Sequence, residues 1–254
     1  MVTLFKYPRT KHMTGSRLQP GDEDLAQTPL SDLQGCHLVV EEKCDGANSA
    51  VSFTSDGQLL LQSRGHFLDG GGLGEDQFSL FKAWATVHQT RLHELLGARY
   101  VMYGEWVFKK HTMFYDQLPH YFLEFDILDT LAGTFLSTAR RREFLAPASF
   151  ICSVPVLYEG VTPRRSEPLT QLIGPSCYQS DGWRERLAAE AQKRGFNLAR
   201  VQQQTDFSGQ MEGLYLKIET ARPFFVAGVN LIFFPPDSRI PNGITSLFPS
   251  FLFL

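Results

Sequence analysis

Between residues 37 and 63 the chain reads as three β-runs separated by two Asp-Gly dipeptides, and no other stretch restricts the fold as strongly. The second dipeptide, in Ser55-Asp56-Gly57, lies between runs at 49 to 54 and 58 to 63. It is a strong hairpin signal, because Asp and Gly tolerate the backbone geometry of tight antiparallel turns. The first, Asp45-Gly46, is a turn signal that follows Leu38-Val39-Val40 and Glu41-Glu42-Lys43-Cys44. Further β-reading runs occupy 99 to 108, 121 to 128 and 214 to 218. Residues 76 to 97 place Phe78, Phe81, Trp84, Ala85, His88, Leu92 and Leu95 near one helical face. Arg140 to Leu145 reads as a short helix whose arginine run forms an exposed face. Asp181 to Arg194 reads as another, with Ser180 or Asp181 as N-cap and Gly195 as its stop. Hairpins with scattered helices predict an α+β class, not a regular βαβ alternation.

With 254 residues, 43% of them hydrophobic, the chain can bury one substantial core. A net charge of −3 excludes a global basic field, so a nucleic-acid partner would need a local basic groove. Cys36, Cys44, Cys152 and Cys177 show neither CxxC pairing nor zinc-ligand spacing. Reduced thiols in a cytosolic protein are expected. The N-terminus lacks a signal-peptide stretch, and no apolar run is long enough to span a bilayer. The expectation is a soluble, cytoplasmic protein without a membrane partner. Residues 1 to 34 read as polar loop, and Gly70-Gly71-Gly72 as a flexible loop.

Lys43 stands at a strand end, with Asp45 two residues on and a glycine behind it. That placement suits an amine nucleophile, provided its pKa is lowered from ~10.4. Downstream lie Arg64 in Ser63-Arg64-Gly65, Glu105 in Tyr103-Gly104-Glu105-Trp106, and Phe125 with Asp126 in Glu124-Phe125-Asp126-Ile127. Glu212, Gly213 and Lys217 follow in Glu-Gly-Leu-Tyr-Leu-Lys. Cations that neutralise phosphate oxygens and carboxylates that hold a hydrated divalent ion suit a nucleotide–metal site.

This ordered set (Lys-x-Asp-Gly-x-Asn, Arg-Gly, Gly-Glu, Phe-Asp, Glu-Gly-x-x-x-Lys) resembles the nucleotidyltransferase motifs of ATP-dependent RNA ligases. The likeness is closest to the small bacterial and phage-type members and covers residues 35 to 220. The wider superfamily includes DNA ligases and mRNA-capping enzymes. The resemblance implies an adenylation domain with two antiparallel sheets framing an ATP cleft, with flanking helices. It implies ATP and Mg²⁺ (or Mn²⁺) as cofactors and RNA ends as partners, a 5′-phosphate being joined to a 3′-hydroxyl through lysyl-AMP on Lys43. It further implies Glu42 on the adenine side, Asp45 at the ribose or hydrated metal, and Asn48 at phosphate or the RNA end. Arg64 would hold ribose or phosphate, and Glu105 would take a ribose hydroxyl or metal water. Phe125 would stack on adenine, Glu212 would assist metal binding, and Lys217 would face the α-phosphate. Crowding by Arg64, Lys217 and Mg²⁺ would lower the pKa of Lys43. Lys110 and His111 look like the same branch, and a solvated loop is an equal reading for them.

The family's usual lysine-bearing segment after Glu-Gly-x-x-x-Lys is replaced here by Ala221-Arg222-Pro223-Phe224-Phe225, and no lysine follows Lys217. The expected division is therefore a nucleotidyltransferase domain over 1–222 and an atypical Phe/Pro-rich tail over 223–254. Two other readings stay open: an impaired or inactive nucleotide- or RNA-binding member, and a DNA-ligase or capping-type enzyme. The chain lacks room for the further oligonucleotide-binding domain typical of the latter.

Overall fold

The computed structural model describes residues 2–17, 27–70 and 75–219, together with the backbone of 226–233. Strands β1 (Lys11–Met13) and β2 (Gln27–Thr28) precede β3 (His37–Lys43), β4 (Ala47–Phe53) and β5 (Leu59–Ser63). Then come β6 (Tyr100–Trp106), β7 (Phe122–Asp129), β8 (Thr134–Phe135) and β9 (Cys152–Ser153). Strands β10 (Val156–Val161), β11 (Gly213–Glu219) and β12 (Val226–Phe233) complete the set among the described residues.

The second Asp-Gly dipeptide closes a hairpin. Gly57 has φ +83°, and β4 pairs antiparallel with β5 from Phe53↔Leu59 to Ser49↔Ser63. The first does something different, carrying the chain between two sheets. One sheet runs β10-β3-β11-β12-β1-β2, the other β5-β4-β6-β7-β8, with β9 beside β7. Only glycine passes at this crossing, since a Cβ on Gly46 would sit 2.7 Å from the Trp106 carbonyl oxygen. A second crossing occurs at Val154-Pro155, between β9 and β10. There the Val154 N–H donates to the Glu124 carbonyl and the Pro155 carbonyl accepts from Glu42 N–H.

The α+β class holds, but the sheets are mixed, not purely antiparallel. β1 runs parallel to both β12 and β2, and β9 runs parallel to β7. These additions are strands of only two or three residues. They are too short for an alternating pattern to reveal them. β12, which pairs with β11, extends the sheet into the region expected to be a tail; residues 220–225 and 234–254 lie outside the described residues. Among the described residues, no helix is long and apolar enough to cross a membrane.

The expected helix over 76–97 forms as a 3₁₀ turn (Glu75–Phe78) and two helices, Ser79–Val87 and Gln89–Leu96. The break falls at His88, which leaves helical geometry and stacks on Phe150 at 4.5 Å. The periodic apolar face is nonetheless the buried one: Phe78, Phe81, Ala85, Leu92 and Leu96 pack on the sheet beside Trp106 and Phe122. The helix Trp183–Lys193 stops before Gly195 at φ +69°, as the glycine predicts. Neither expected N-cap operates there. Gly182 takes that position, while the Ser180 hydroxyl and N–H both donate to Asp116.

The arginine run departs furthest from expectation. Helix Thr138–Leu145 is capped by Ser137 and keeps Arg140 and Arg142 exposed, but Arg141 is only 2% exposed. Its guanidinium donates to Glu41 on β3 and lies 3.6 Å from Glu124 and 3.7 Å from Asp126 on β7. Lys217 on β11 joins the same cluster, 2.8 Å from Glu41 and 2.9 Å from Asp126. Two cations thus bind three carboxylates drawn from both sheets. Burial pushes the pKa of the Glu124 carboxyl up, Arg141 opposes that, and the Ser153 hydroxyl also holds the group.

Replacing Arg141 with Met leaves those carboxylates facing a single ammonium. Urea unfolding should show a loss of about 3–5 kcal/mol for Arg141→Met, as for other broken buried ion pairs. Arg142→Ala, on the exposed face, should cost less than about 1 kcal/mol. Equal effects of the two would contradict the network's role.

Candidate active site

Lys43 ends β3 at the point where the chain crosses between the sheets, and there a cleft of about 780 Å³ opens. Clefts of ~300–1,000 Å³ are typical of small-molecule sites. Its lining draws on both sheets. Glu42, Lys43, Asp45, Asn48, Arg64, Glu105, Phe125 and Glu212 all face it. Sheet register explains much of this gathering. Gly213 pairs with Lys43, which brings the preceding Glu212 alongside, and Asn48 pairs with Glu105 across β4 and β6. Gly104 is required before Glu105 because a Cβ there would lie 2.5 Å from the Phe122 ring.

Lys217 is not brought to the cleft. It pairs with Val39, four residues along β11 from Gly213, and is 1% exposed. Its ammonium donates to Asp126 and to the Phe125 carbonyl, so its influence on the cleft passes through the backbone of Phe125. Arg64 is exposed at the end of β5. Glu42 lines the cleft, yet its carboxylate accepts from the Ser176 hydroxyl at 2.5 Å and Cys177 N–H at 2.9 Å. The four cysteines are free thiols.

The electrostatics around Lys43 differ from expectation. Lys43 Nζ lies 2.5 Å from Glu212 Oε2. Burial works to lower its pKa, but the charges of Glu212, Glu105 and Asp45 outweigh burial and raise it. Of the cations expected to lower it, Lys217 is turned into the core, and a carboxylate is the near partner. Burial, reinforced by mutual repulsion, pushes Glu105 up to about 8 and Glu212 up to about 7. Lys43 opposes both of these shifts.

Asp45 is held differently. Its Oδ2 accepts from Thr112 N–H (2.6 Å), Thr112 Oγ1 (2.6 Å) and Met113 N–H (2.8 Å), and His111 lies 3.6 Å from Oδ1. Burial alone would raise its pKa, but His111, Thr112 and Lys43 together hold it well below the usual carboxylate range. This carboxylate ties the lysine turn to the 109–113 loop. His111 lines the cleft, whereas Lys110 is buried, donates to the carbonyls of His111 and Gln204, and is pushed down to about 8 by burial.

Among the described residues, no three His, Cys, Asp or Glu side chains are placed to hold a metal ion directly. The donor set nonetheless fits a hydrated divalent cation. Glu105 and Glu212 are hard oxygen donors that line the same cleft. The pattern of motifs did not single out Tyr7, Pro8, Thr10 and Tyr215, which also line the cleft. The N-terminal three lie in a segment read as loop, and no periodic signal marks a loop that packs against a distant site.

Comparison with known proteins adds the lineage. No match was found among curated protein sequences. Among solved structures, an apo mutant of Naegleria gruberi RNA ligase superposes with a TM-score of 0.51 at 14% identity, over 82% of this chain and 51% of that one. Two further mutants of that ligase, solved with AMP and Mn, give TM-scores of 0.51 at 13% identity. They cover 91% and 89% of this chain, and 56% and 59% of theirs. At that identity the likeness speaks for the fold, and this chain spans little more than half of the proteins it resembles. The sequence profile of the RNA ligase family matches residues 37–232, from the start of β3 almost to the end of β12. By that match the chain belongs to the RNA ligase family.

Proposed function

We propose that the cleft binds ATP and that the chain joins RNA ends through an AMP carried on Lys43. The observation that carries this reading is the placement of Lys43 on the floor of a cleft that also presents Glu105, Glu212, Arg64 and Phe125. In the first step the Lys43 amine attacks the α-phosphorus, the bond to the β-phosphate oxygen breaks, and pyrophosphate leaves with the electron pair. Glu212, at 2.5 Å and with a pKa near 7, is suited to take the proton from Lys43. AMP then passes to an RNA 5′-phosphate, and a 3′-hydroxyl displaces it to form the phosphodiester.

Phe125 offers a ring face to the base, and Lys217 fixes its backbone. Arg64 and Asn48 are placed for phosphate or ribose oxygens. Glu105 and Glu212 would hold hydrated Mg²⁺ or Mn²⁺, which would supply charge neutralisation at the phosphates. Asp45 clamps the 109–113 loop through Oδ2, which accepts from three donors, and would offer Oδ1 to the ribose or a metal water. The sequence Ala221-Arg222-Pro223-Phe224-Phe225 after Lys217, where a lysine-bearing segment is usual, favours a second reading, a member slow in the first step and suited to pre-adenylated ends.

Incubation with α-labelled ATP and Mg²⁺ should label the wild-type chain and leave Lys43→Ala unlabelled; label surviving on the variant would sink the nucleophile assignment. Joining of pre-adenylated RNA without measurable labelling by ATP would select the second reading. The pH dependence has a defined sign. Attack needs the neutral amine, and the nearby carboxylates raise the Lys43 pKa, so the labelling rate should climb as pH rises above neutrality. Glu212→Gln removes the nearest opposing charge and should move that rise to lower pH while reducing the maximum rate. A rise unchanged in position would show that Glu212 does not control the lysine.

A further inference from the structure

One wall of the cleft comes from the N-terminal segment, where Tyr7 and Thr10 stand beside Phe125 and Tyr215. The Tyr7 ring meets Phe125 edge-on at 5.2 Å, and Tyr215 lies 6.2 Å from Phe125, so this wall belongs to the Phe125 end. Its hydroxyls form a series whose direction follows from counting protons. Asp126 faces the Lys217 ammonium at 2.9 Å and accepts the Tyr7 hydroxyl at 2.5 Å. Burial, together with Asp126 and Tyr215, holds the Tyr7 pKa well above the usual tyrosine value, so that proton stays in place. A phenol has one proton, so the 2.6 Å contact between Tyr7 and Tyr215 uses the proton of Tyr215. The Tyr215 oxygen then accepts in its 3.3 Å contact with Thr10, and Thr10 Oγ1 is the donor. The Thr10 oxygen keeps only lone pairs for other partners.

We propose that Thr10 selects the base: its oxygen, fixed as an acceptor by the Thr10–Tyr215–Tyr7–Asp126 series, takes the exocyclic amino group of adenine and rejects the 6-oxo group of guanine. This rests on the reading of the cleft as a nucleotide site with Phe125 under the base. Guanine would place an acceptor against an acceptor. Relief would require Thr10 to turn its proton to the base and break its bond to Tyr215, leaving a partly buried hydroxyl less satisfied. Hydrogen bonds anchored on a charge are also the least easily reversed, and this series ends on a carboxylate between two cations.

The test uses the full chain with ATP and GTP, reading both label transfer to Lys43 and equilibrium binding of each nucleotide. Thr10→Val keeps the shape and removes the acceptor, and should reduce the ATP-over-GTP ratio by about 10-fold, the scale of one hydrogen bond. Thr10→Ser should keep the ratio within about 2-fold. Tyr215→Phe leaves Thr10 in place but frees its proton, and should also lower the ratio. A folded Thr10→Val chain with the wild-type ratio would overturn the proposal, as would a Tyr215→Phe chain whose ratio is unchanged. If no label reaches Lys43 while binding still discriminates, the transfer reading fails and the Thr10 assignment is decided by the binding ratios. If neither nucleotide binds, both readings fail.

Discussion

The buried cluster of Arg141 and Lys217 with Glu41, Glu124 and Asp126 is the interaction on which the rest of this structure depends. It draws on β3 and β11 in one sheet, β7 in the other, and the helix 138–145. Each partner is almost wholly withdrawn from solvent. Buried ion pairs contribute little net stability compared with apolar packing, but removing one member is costly. Such a cluster therefore specifies more than it stabilises, because only one relative placement of the two sheets satisfies all five groups. That placement sets the width of the cleft and the position of Phe125, whose carbonyl accepts from Lys217. Tyr7 and Tyr215 extend the same network to the cleft wall through Asp126.

A second electrostatic arrangement lies at the mouth of this frame, around Lys43. Around Lys43 the carboxylates outnumber nearby cations, and Glu105 and Glu212 are pushed to about 8 and about 7. The core cluster is sealed from solvent, with Arg141 and Lys217 shared among three carboxylates, whereas the carboxylates around Lys43 line an open cleft. Lys43 is paired with Glu212 at 2.5 Å, and the surrounding carboxylates favour its protonated form. The two regions are adjacent along single strands. Glu41 and Lys43 are two residues apart on the same face of β3, and Glu212 and Lys217 lie at either end of one short run.

The order of elements and much of the site were legible because they depend on local patterns. The Asp56-Gly57 hairpin, the apolar face from Phe78 to Leu96 and the Gly195 stop all follow from backbone geometry and periodicity. The gathering of Lys43, Asp45, Glu105, Phe125 and Glu212 was legible in another way, through the resemblance of their ordered motifs to those of RNA ligases. The two glycines of those motifs, Gly46 and Gly104, are explained by contacts with Trp106 and Phe122 that no local pattern displays. Arg141 read as a surface residue because its neighbours Arg140 and Arg142 are exposed. Its burial is decided by Glu41, 100 residues away in the sequence, and by Glu124 and Asp126 on β7.

The sequence by itself determined the α+β class, the lysine at a strand end and the set of side chains able to work around it. Those follow from short-range preferences and from motif order. Only the tertiary structure decided which charged residues face the cleft and which close the core. Lys217 and Lys43 are both strand lysines, and nothing local distinguishes them. The register of β11 against β3 places one beside Asp126 in the interior and the other beside Glu212 at the opening. Burial and neighbouring charge, both products of long-range pairing, then assign their separate roles.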